Sequence, residues 1–157
     1  MKSQAALVIV TVVVTAIVTS LLWVVGVAVV YWQFSASQPP YMVAVEAPEV
    51  VEPGATFGLR LQVRNPTDGQ LELGSIDIYD SLLDGFRLAA VEPAPTHREH
   101  TLNFTSLYYN HTLDPGAAFV VDCQLEAVRG GVWTGDVDFC TPSENFVTST
   151  VTIRVGN

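Results

Sequence analysis

The stretch "TFGLRLQVR", residues Thr56–Arg64, decides the fold class because its apolar and polar side chains alternate strictly. The apolar side consists of Phe57, Leu59, Leu61 and Val63, and the other side consists of Gly58, Arg60, Gln62 and Arg64. Alternation with a period of two is typical of an antiparallel strand with one buried face and one solvated face. The stretch therefore predicts a β-strand whose apolar side faces a core.

Two later stretches, "AFVVDCQLEA" and "VTSTVTIRV", repeat this alternation. Their apolar sides consist of Phe119, Val121, Cys123 and Leu125, and of Val147, Val151, Ile153 and Val155. Turns rich in Pro and Gly separate the alternating stretches, and between them lie about seven or eight short strands. "IYDSLLDGF", residues Ile78–Phe86, breaks the alternation and predicts one helical turn. We therefore predict a mainly β fold, an antiparallel immunoglobulin-like β-sandwich over residues 41–157.

Two segments of this region resemble a known family. "VEPGATFGLRLQVRNPTDGQLELG", residues Val51–Gly74, is similar to the opening of bacterial extracellular immunoglobulin-like domains of the cell-adhesion-related (CARDB) type, in which a Pro-Gly turn precedes a strand ending in Asn. "LDPGAAFVVDCQLEAVRGGVWTGDV", residues Leu113–Val137, resembles the later strands of the same domains. The resemblance implies a sandwich fold and a role in binding or spacing, and it supplies no catalytic residues.

The N-terminal part has a different composition, because no charged residue occurs from Ser3 to Val45. An apolar run of this length predicts a transmembrane helix over residues 5–32. We then expect residues 1–4 to be a short cytoplasmic N-terminus, 33–40 a Pro/Ser linker and 41–157 an extracytoplasmic domain. Lys2 before the run and the acidic residues after it favour this orientation in a single-pass cell-membrane protein. A cleaved signal peptide is the alternative.

Within the predicted span, Thr11, Thr15 and Thr19 recur every four residues and would share one helical face, with Gly26 further along. Small and hydroxyl residues of this kind favour helix–helix contacts. Tyr31 and Trp32 close the run as an interfacial anchor would. The predicted partners are therefore the lipid bilayer and other membrane proteins, which would be contacted through the helix and the sandwich.

Charge excludes one class of partner. All sixteen acidic residues lie beyond the apolar run, together with six arginines, a balance of −10. Such a surface repels the phosphate backbone, so we expect no nucleic-acid partner.

The two cysteines, Cys123 and Cys140, are expected to form a disulfide if the domain lies outside the cytoplasm. Their strand positions complicate this expectation. Val137 and Phe139 share the apolar face of their strand, so Cys140 has the opposite parity, whereas Cys123 lies on an apolar face. A disulfide needs converging side chains with Cα atoms within about 7 Å. Two free thiols remain the alternative.

No segment has the order of a metal or catalytic motif. "HREH" at His97–His100 lacks the spacing of a helical zinc site, and His111 stands apart from it. Asp77, Asp80 and Asp84 do not have the alternating spacing of a calcium loop. We therefore expect no cofactor, no metal and no catalytic residue.

These observations together predict a non-catalytic single-pass membrane protein that serves protein–protein interaction as an accessory or structural subunit of a membrane assembly. The alternative is the ligand-binding or sensory ectodomain of an envelope protein.

Overall fold

A computed structural model of the protein describes Thr19, Ser20, Leu22, Trp23 and residues 39–143 and 145–156. The chain divides into two units, Met1–Ser37 and Gln38–Asn157. In the first unit the four described residues are helical. The second unit contains every strand of the described residues.

The described residues of the second unit form ten strands and one short helix. The strands are β1 (Met42–Glu46), β2 (Val50–Val51), β3 (Thr56–Arg64), β4 (Leu71–Tyr79), β5 (Phe86–Glu92), β6 (His97–His100), β7 (Phe104–Leu113), β8 (Ala118–Ala127), β9 (Gly131–Cys140) and β10 (Phe146–Val155). The helix, α1 (Asp80–Leu83), lies between β4 and β5. It confirms the helical turn that the break in alternation predicted.

The strands form a four-stranded sheet in the order β1-β3-β8-β5 and a six-stranded sheet in the order β2-β10-β9-β4-β7-β6. Neighbouring strands are antiparallel except for the two-residue strand β2, which runs parallel to β10. The antiparallel β-sandwich predicted from the alternating stretches is therefore confirmed. Several of its pairings join strands distant in sequence, such as β3 with β8 and β4 with β9.

The core lies between the two sheets and is built from the predicted apolar faces. Leu59 and Leu61 of β3 are fully buried, and so are Ile76 of β4 and Phe139 of β9 in the other sheet. Burial of a large aliphatic or aromatic side chain stabilises the fold by about 1.5–3 kcal/mol. The alternation of β3, β8 and β10 correctly predicted which of their side chains enter this core.

A buried asparagine fixes the turn between β3 and β4. Asn65 is 0% exposed, and its side-chain amide donates to the carbonyl oxygens of Gly69 at 2.7 Å and Leu113 at 2.9 Å. Its Oδ1 accepts from the backbone N–H of Thr67 at 2.9 Å. The side chain thus satisfies backbone groups that a six-residue connection leaves without strand partners, as asparagine does in turns.

The transmembrane helix predicted over residues 5–32 needs correction. Among the described residues, no helix is long and apolar enough to cross a membrane. Crossing a bilayer takes about 20 consecutive helical residues, whereas only Thr19, Ser20, Leu22 and Trp23 of this segment are described. The single-pass fold class and the cell-membrane location expected from the sequence are therefore not supported, and the rest of residues 5–32 lies outside the described residues.

Candidate functional site: an acidic cleft

The register between β4 and β9 places two carboxylates side by side on the outer face of the six-stranded sheet. Asp77 of β4 pairs with Asp138 of β9, and Ser75 pairs with Cys140 in the next outward row. The intervening residue Ile76 points into the core. Because side chains alternate along a strand, these four outward residues share one face. This pairing joins residues that are far apart in sequence.

Asp138 is 6% exposed and is held by hydroxyl groups. Thr148 of β10 donates its hydroxyl to Asp138 Oδ1 at 2.6 Å. Tyr79 of β4 also hydrogen-bonds to Asp138. Burial, the charge of Asp138 and this hydrogen bond raise the pKa of Tyr79 above its ordinary value of 10.0. Tyr79 is therefore a protonated donor at neutral pH.

Asp77 is less well satisfied than its neighbour. Its Oδ2 accepts a weak hydrogen bond from Cys140 Sγ at 3.4 Å, whereas its Oδ1 is buried and accepts no hydrogen bond. Burial, followed by the charge of Asp77, raises the pKa of Cys140 to about 12. The sulfur therefore remains a thiol at neutral pH, and Asp77 retains an acceptor atom without a donor.

Aromatic side chains surround these carboxylates and form a cleft with a volume of about 590 Å³. We call it the acidic cleft and define it by Asp77, Asp138, Tyr79, Phe104, Tyr108 and Phe146. The rings of Tyr79 and Phe104 lie 5.5 Å apart between centroids and are tilted by 42°. The cleft therefore combines negative charge with aromatic walls.

We call two large exposed apolar side chains the rim of the cleft, one that lines the cleft and one in a turn beside it. Phe146 is 49% exposed, and Leu102 is 101% exposed in the turn between Thr101 and Phe104, which both line the cleft. Exposed apolar groups around a polar depression are typical of interaction sites.

The carboxylates of this face have no basic partner in the described part of the chain. There, ion pairs join Arg60 to Asp122, Arg87 to Glu126 and His100 to Asp80. None of these pairs involves Asp77 or Asp138. The nearest compensation for either carboxylate comes from the hydroxyl and thiol groups described above.

The structure does not bring the two cysteines together. Cys123 of β8 is fully buried in the core, whereas Cys140 lies on the outer face of the other sheet, and both are free. The difference in strand parity accounts for this separation. Burial raises the pKa of Cys123 to about 12, so it is an unreactive core thiol.

The remaining residues singled out in the sequence lie beside the acidic cleft, in other parts of the fold or outside the described residues. Of the proposed helix contact and interfacial anchor, Thr19 is helical, and the remaining residues, Thr11, Thr15, Gly26, Tyr31 and Trp32, lie outside the described residues. His97 and His100 belong to the exposed edge strand β6, and His97 stacks on Tyr108 of the acidic cleft with ring centroids 5.7 Å apart. His111 stacks on Phe119, with ring centroids 4.4 Å apart.

Candidate metal ligands are also dispersed. Asp77 lines the acidic cleft, whereas Asp80 begins helix α1 and Asp84 follows it. Within residues 39–143 and 145–156, no group of three or more His, Cys, Asp or Glu side chains has an arrangement that could hold a metal ion.

The acidic cleft itself was not predicted from the sequence. A signal for it was nevertheless present in "GDVDFC", where Asp136, Asp138 and Cys140 alternate with Val137 and Phe139. That alternation places the carboxylates on an outer face, but it does not indicate which strand lies beside them.

No protein-family model matches the chain, and no curated protein matches it. Among solved structures, the chain is similar to the cohesin module of a family 33 glycoside hydrolase from Clostridium perfringens, with 10% identity and a TM-score of 0.46 over 74% of this chain and 96% of that chain. It is also similar to the CARDB domain of a Pyrococcus furiosus protein, with 13% identity and a TM-score of 0.47 over 76% of this chain and 96% of that chain.

A second structure of that CARDB domain, in complex with di-metal ions, matches with 14% identity and a TM-score of 0.44 over 76% of this chain and 90% of that chain. The structural neighbours thus include the CARDB type of immunoglobulin-like domain, which confirms the resemblance to that type of domain noted in the sequence. At these identities and TM-scores the likeness concerns the fold and carries no argument about ligands, partners or activity.

Proposed function

We propose that the sandwich is a non-catalytic interaction module that binds a partner protein through the acidic cleft. The observation that carries this proposal is the combination, on one sheet face, of two carboxylates without a basic partner and a rim of exposed apolar side chains. An interface core typically joins apolar and aromatic contacts with a few oriented polar groups. The role in binding or spacing implied by the sequence resemblance is consistent with this proposal.

The raised pKa values of Cys140 and Tyr79 favour a role for these two side chains as hydrogen-bond donors rather than as catalytic groups. General acid–base chemistry works best with groups whose pKa lies near the operating pH, and a cysteine nucleophile must be a thiolate. The pKa of Cys140 is about 12, and the pKa of Tyr79 is raised above 10.0. Both groups therefore stay protonated at neutral pH, where they act as hydrogen-bond donors.

A small-molecule ligand is the second candidate, because a cleft of about 590 Å³ falls within the range of about 300–1,000 Å³ found for such sites. A partner protein is favoured by the rim. Leu102 is fully exposed and Phe146 half-exposed, and a small ligand inside the cleft would leave Leu102 in water. A protein surface would cover both side chains.

The test compares two double variants, each of which replaces two exposed apolar side chains with serine. Leu102→Ser with Phe146→Ser removes the apolar rim, whereas Met42→Ser with Val128→Ser removes two exposed apolar side chains away from the cleft, 59% and 52% exposed. Partners that co-purify with the wild-type chain from the producing cells are identified by mass spectrometry and then re-bound as purified proteins.

We expect the rim variant to bind the purified partner about tenfold more weakly or worse, the usual effect of losing an interface anchor, and the control variant to bind it like the wild type. Equal binding by both variants would contradict the proposal. Thermal unfolding of all three chains checks that the substitutions leave the fold intact.

A further inference from the structure

We infer that the acidic cleft recognises an arginine side chain presented by the partner protein, with Asp77 and Asp138 as acceptors and the aromatic side chains as walls. This inference rests on the proposed function, because it names the chemistry that the cleft would select. Four observations carry it: the paired carboxylates, the unsatisfied oxygen of Asp77, the aromatic walls and the charge of the domain.

The paired carboxylates present several acceptors at one point. Asp77 and Asp138 are directly opposed residues of two antiparallel strands, and such residues hold their Cβ atoms about 4.5–5.5 Å apart. Two like charges at this separation destabilise the sheet unless a cation joins them. A guanidinium group has five N–H donors in a planar fork and can bond both carboxylates together.

The unsatisfied oxygen of Asp77 indicates that a donor is missing. Its Oδ1 is buried and accepts no hydrogen bond, although Oδ2 accepts one from Cys140. Buried polar atoms normally have partners, and leaving one without a partner costs about 1–3 kcal/mol. The carboxyl torsion of aspartate is soft, so Oδ1 can turn toward a donor that enters the cleft.

The aromatic walls favour arginine over lysine and over a bare metal ion. Tyr79, Phe104, Tyr108 and Phe146 all line the cleft. Guanidinium groups stack on aromatic faces and are more weakly hydrated than ammonium groups. A divalent cation would instead need further oxygen ligands or bound waters to complete its coordination, and aromatic rings supply none.

The charge of the domain attracts a basic partner. Beyond residue 45 the chain has sixteen acidic residues and six arginines. Two of these arginines, Arg60 and Arg87, are engaged with acids of the other sheet. Complementary charge speeds association and excludes acidic partners.

The experiment titrates the full-length, ¹⁵N-labelled chain with the capped peptide acetyl-Gly-Gly-Arg-Gly-Gly-amide and follows the backbone amide resonances. The matched probe replaces arginine with citrulline, which keeps the shape of the side chain and removes its charge. We expect the arginine peptide to shift resonances of β4, β7 and β9 around Asp77 and Asp138 in a saturable manner. We expect the citrulline peptide to bind about tenfold more weakly or not at all.

Two double variants test the role of the carboxylates. Asp77→Asn with Asp138→Asn should weaken binding of the arginine peptide about tenfold or more. Asp122→Asn with Glu126→Gln removes the same number of charges from the outer face of the four-stranded sheet and should leave binding unchanged. Phe146→Ala, which changes no charge, should weaken binding to a smaller degree and guards against misfolding of the Asp77/Asp138 variant.

Several results would overturn the inference: equal binding of the arginine and citrulline peptides, shifts confined to the other sheet, equal loss of binding in the two double variants, or the same resonances saturating with CaCl₂ alone. Dimerisation of the chain through this face, seen by light scattering, would also overturn it.

The proposed function and the inference about arginine can each be contradicted without the other. If the rim variant loses its protein partner while the arginine peptide does not bind, the inference falls and the proposed function stands. If the peptide binds but the rim variant keeps every partner, the cleft recognises arginine and the proposed interaction surface is wrong.

Discussion

The acidic residues on the outer faces of the two sheets have different neighbours. On the four-stranded sheet, Asp122 lies beside Arg60, which bonds it through two nitrogens at 2.8 and 3.3 Å, and Glu126 pairs with Arg87. On the six-stranded sheet, Asp77 lies beside Asp138, and hydroxyl groups take the place of arginine. One face is balanced within the chain, and the other carries charge that a partner could balance.

This difference shows that net charge alone does not locate a binding surface. Both faces contain acids, and the composition of the domain is acidic throughout. The distinction arises from register, because each strand pairing decides whether an acid meets an arginine or another acid. Cross-strand neighbours of opposite charge stabilise a sheet, and like charges destabilise it.

The largest expected difference between the two faces is the change in stability when a glycine is replaced by alanine. A Cβ on Gly74, at the cleft, would lie 3.0 Å from backbone atoms of Thr141 and Pro142, whereas a Cβ on Gly58 of β3 would meet nothing within 4 Å. Gly74→Ala should therefore destabilise the fold by about 1–3 kcal/mol. Gly58→Ala should be neutral or slightly stabilising, because alanine loses less backbone entropy than glycine.

Chemical denaturation of both variants provides the measurement, with the change in unfolding midpoint converted through a common slope. If Gly74→Ala is as stable as the wild type, the segment at Thr141 and Pro142 yields easily, and the wall of the cleft is not rigid.

The next largest effect on stability concerns the threonine hydroxyl groups that donate to acidic residues on the six-stranded sheet, where the other sheet uses arginine. Thr148→Val removes the donor 2.6 Å from Asp138, which is 6% exposed. We expect a loss of about 1–2 kcal/mol, since water reaches the buried carboxylate poorly. Thr150→Val removes a similar bond to the more exposed Asp136 and should cost less. If thermal unfolding shows equal losses of stability for the two variants, burial does not determine how much these hydrogen bonds stabilise the fold.

Features that depend on neighbours along the chain could be predicted from the sequence. Features that depend on contacts between distant segments could not. Alternation within β3, β8 and β10 correctly predicted their buried faces, because side-chain direction is a local property of a strand. The break in alternation likewise predicted helix α1, which begins at Asp80. These local signals were sufficient for the β-sandwich.

The acidic cleft depends on pairing between distant segments, and the sequence contains no direct signal for the register of β4 against β9. The sequence grouped Asp77 with Asp80 and Asp84, its neighbours along the chain. Its spatial partner is Asp138. For the cysteines, the parity of Cys140 already indicated an outward side chain, and the structure shows two free thiols.

A smaller effect, of opposite sign to the losses above, is expected from neutralising one carboxylate of the cleft. Asp77→Asn relieves repulsion with the opposed Asp138 and offers an amide donor to it. We expect the isolated chain to gain about 0.5–1 kcal/mol and its melting temperature to rise. A fall in melting temperature would show that the charge of Asp77 stabilises the fold, and the contrast between the two faces would then be wrong.

The smallest effect is expected on the balanced face, where Asp122→Asn removes the ion pair with Arg60. Both side chains are about half exposed, so water and salt screen the pair, and the loss of stability should be slight. Its pH dependence is nevertheless informative. The hydrogen bond from Arg60, reinforced by its charge, lowers the pKa of Asp122 below the ordinary value of 3.8.

A carboxyl group whose pKa is lowered by folding stabilises the native state above its unfolded pKa, and this contribution disappears as the pH falls through its folded pKa. The melting temperatures of the wild type and Asp122→Asn should therefore differ slightly at neutral pH and converge once the pH lies well below 3.8. For Asp77→Asn the difference at neutral pH should have the opposite sign, because that carboxylate faces another acid. A difference for Asp122→Asn that persists in acid cannot come from the ion pair, and packing of the Asp122 side chain on β8 would then be its source.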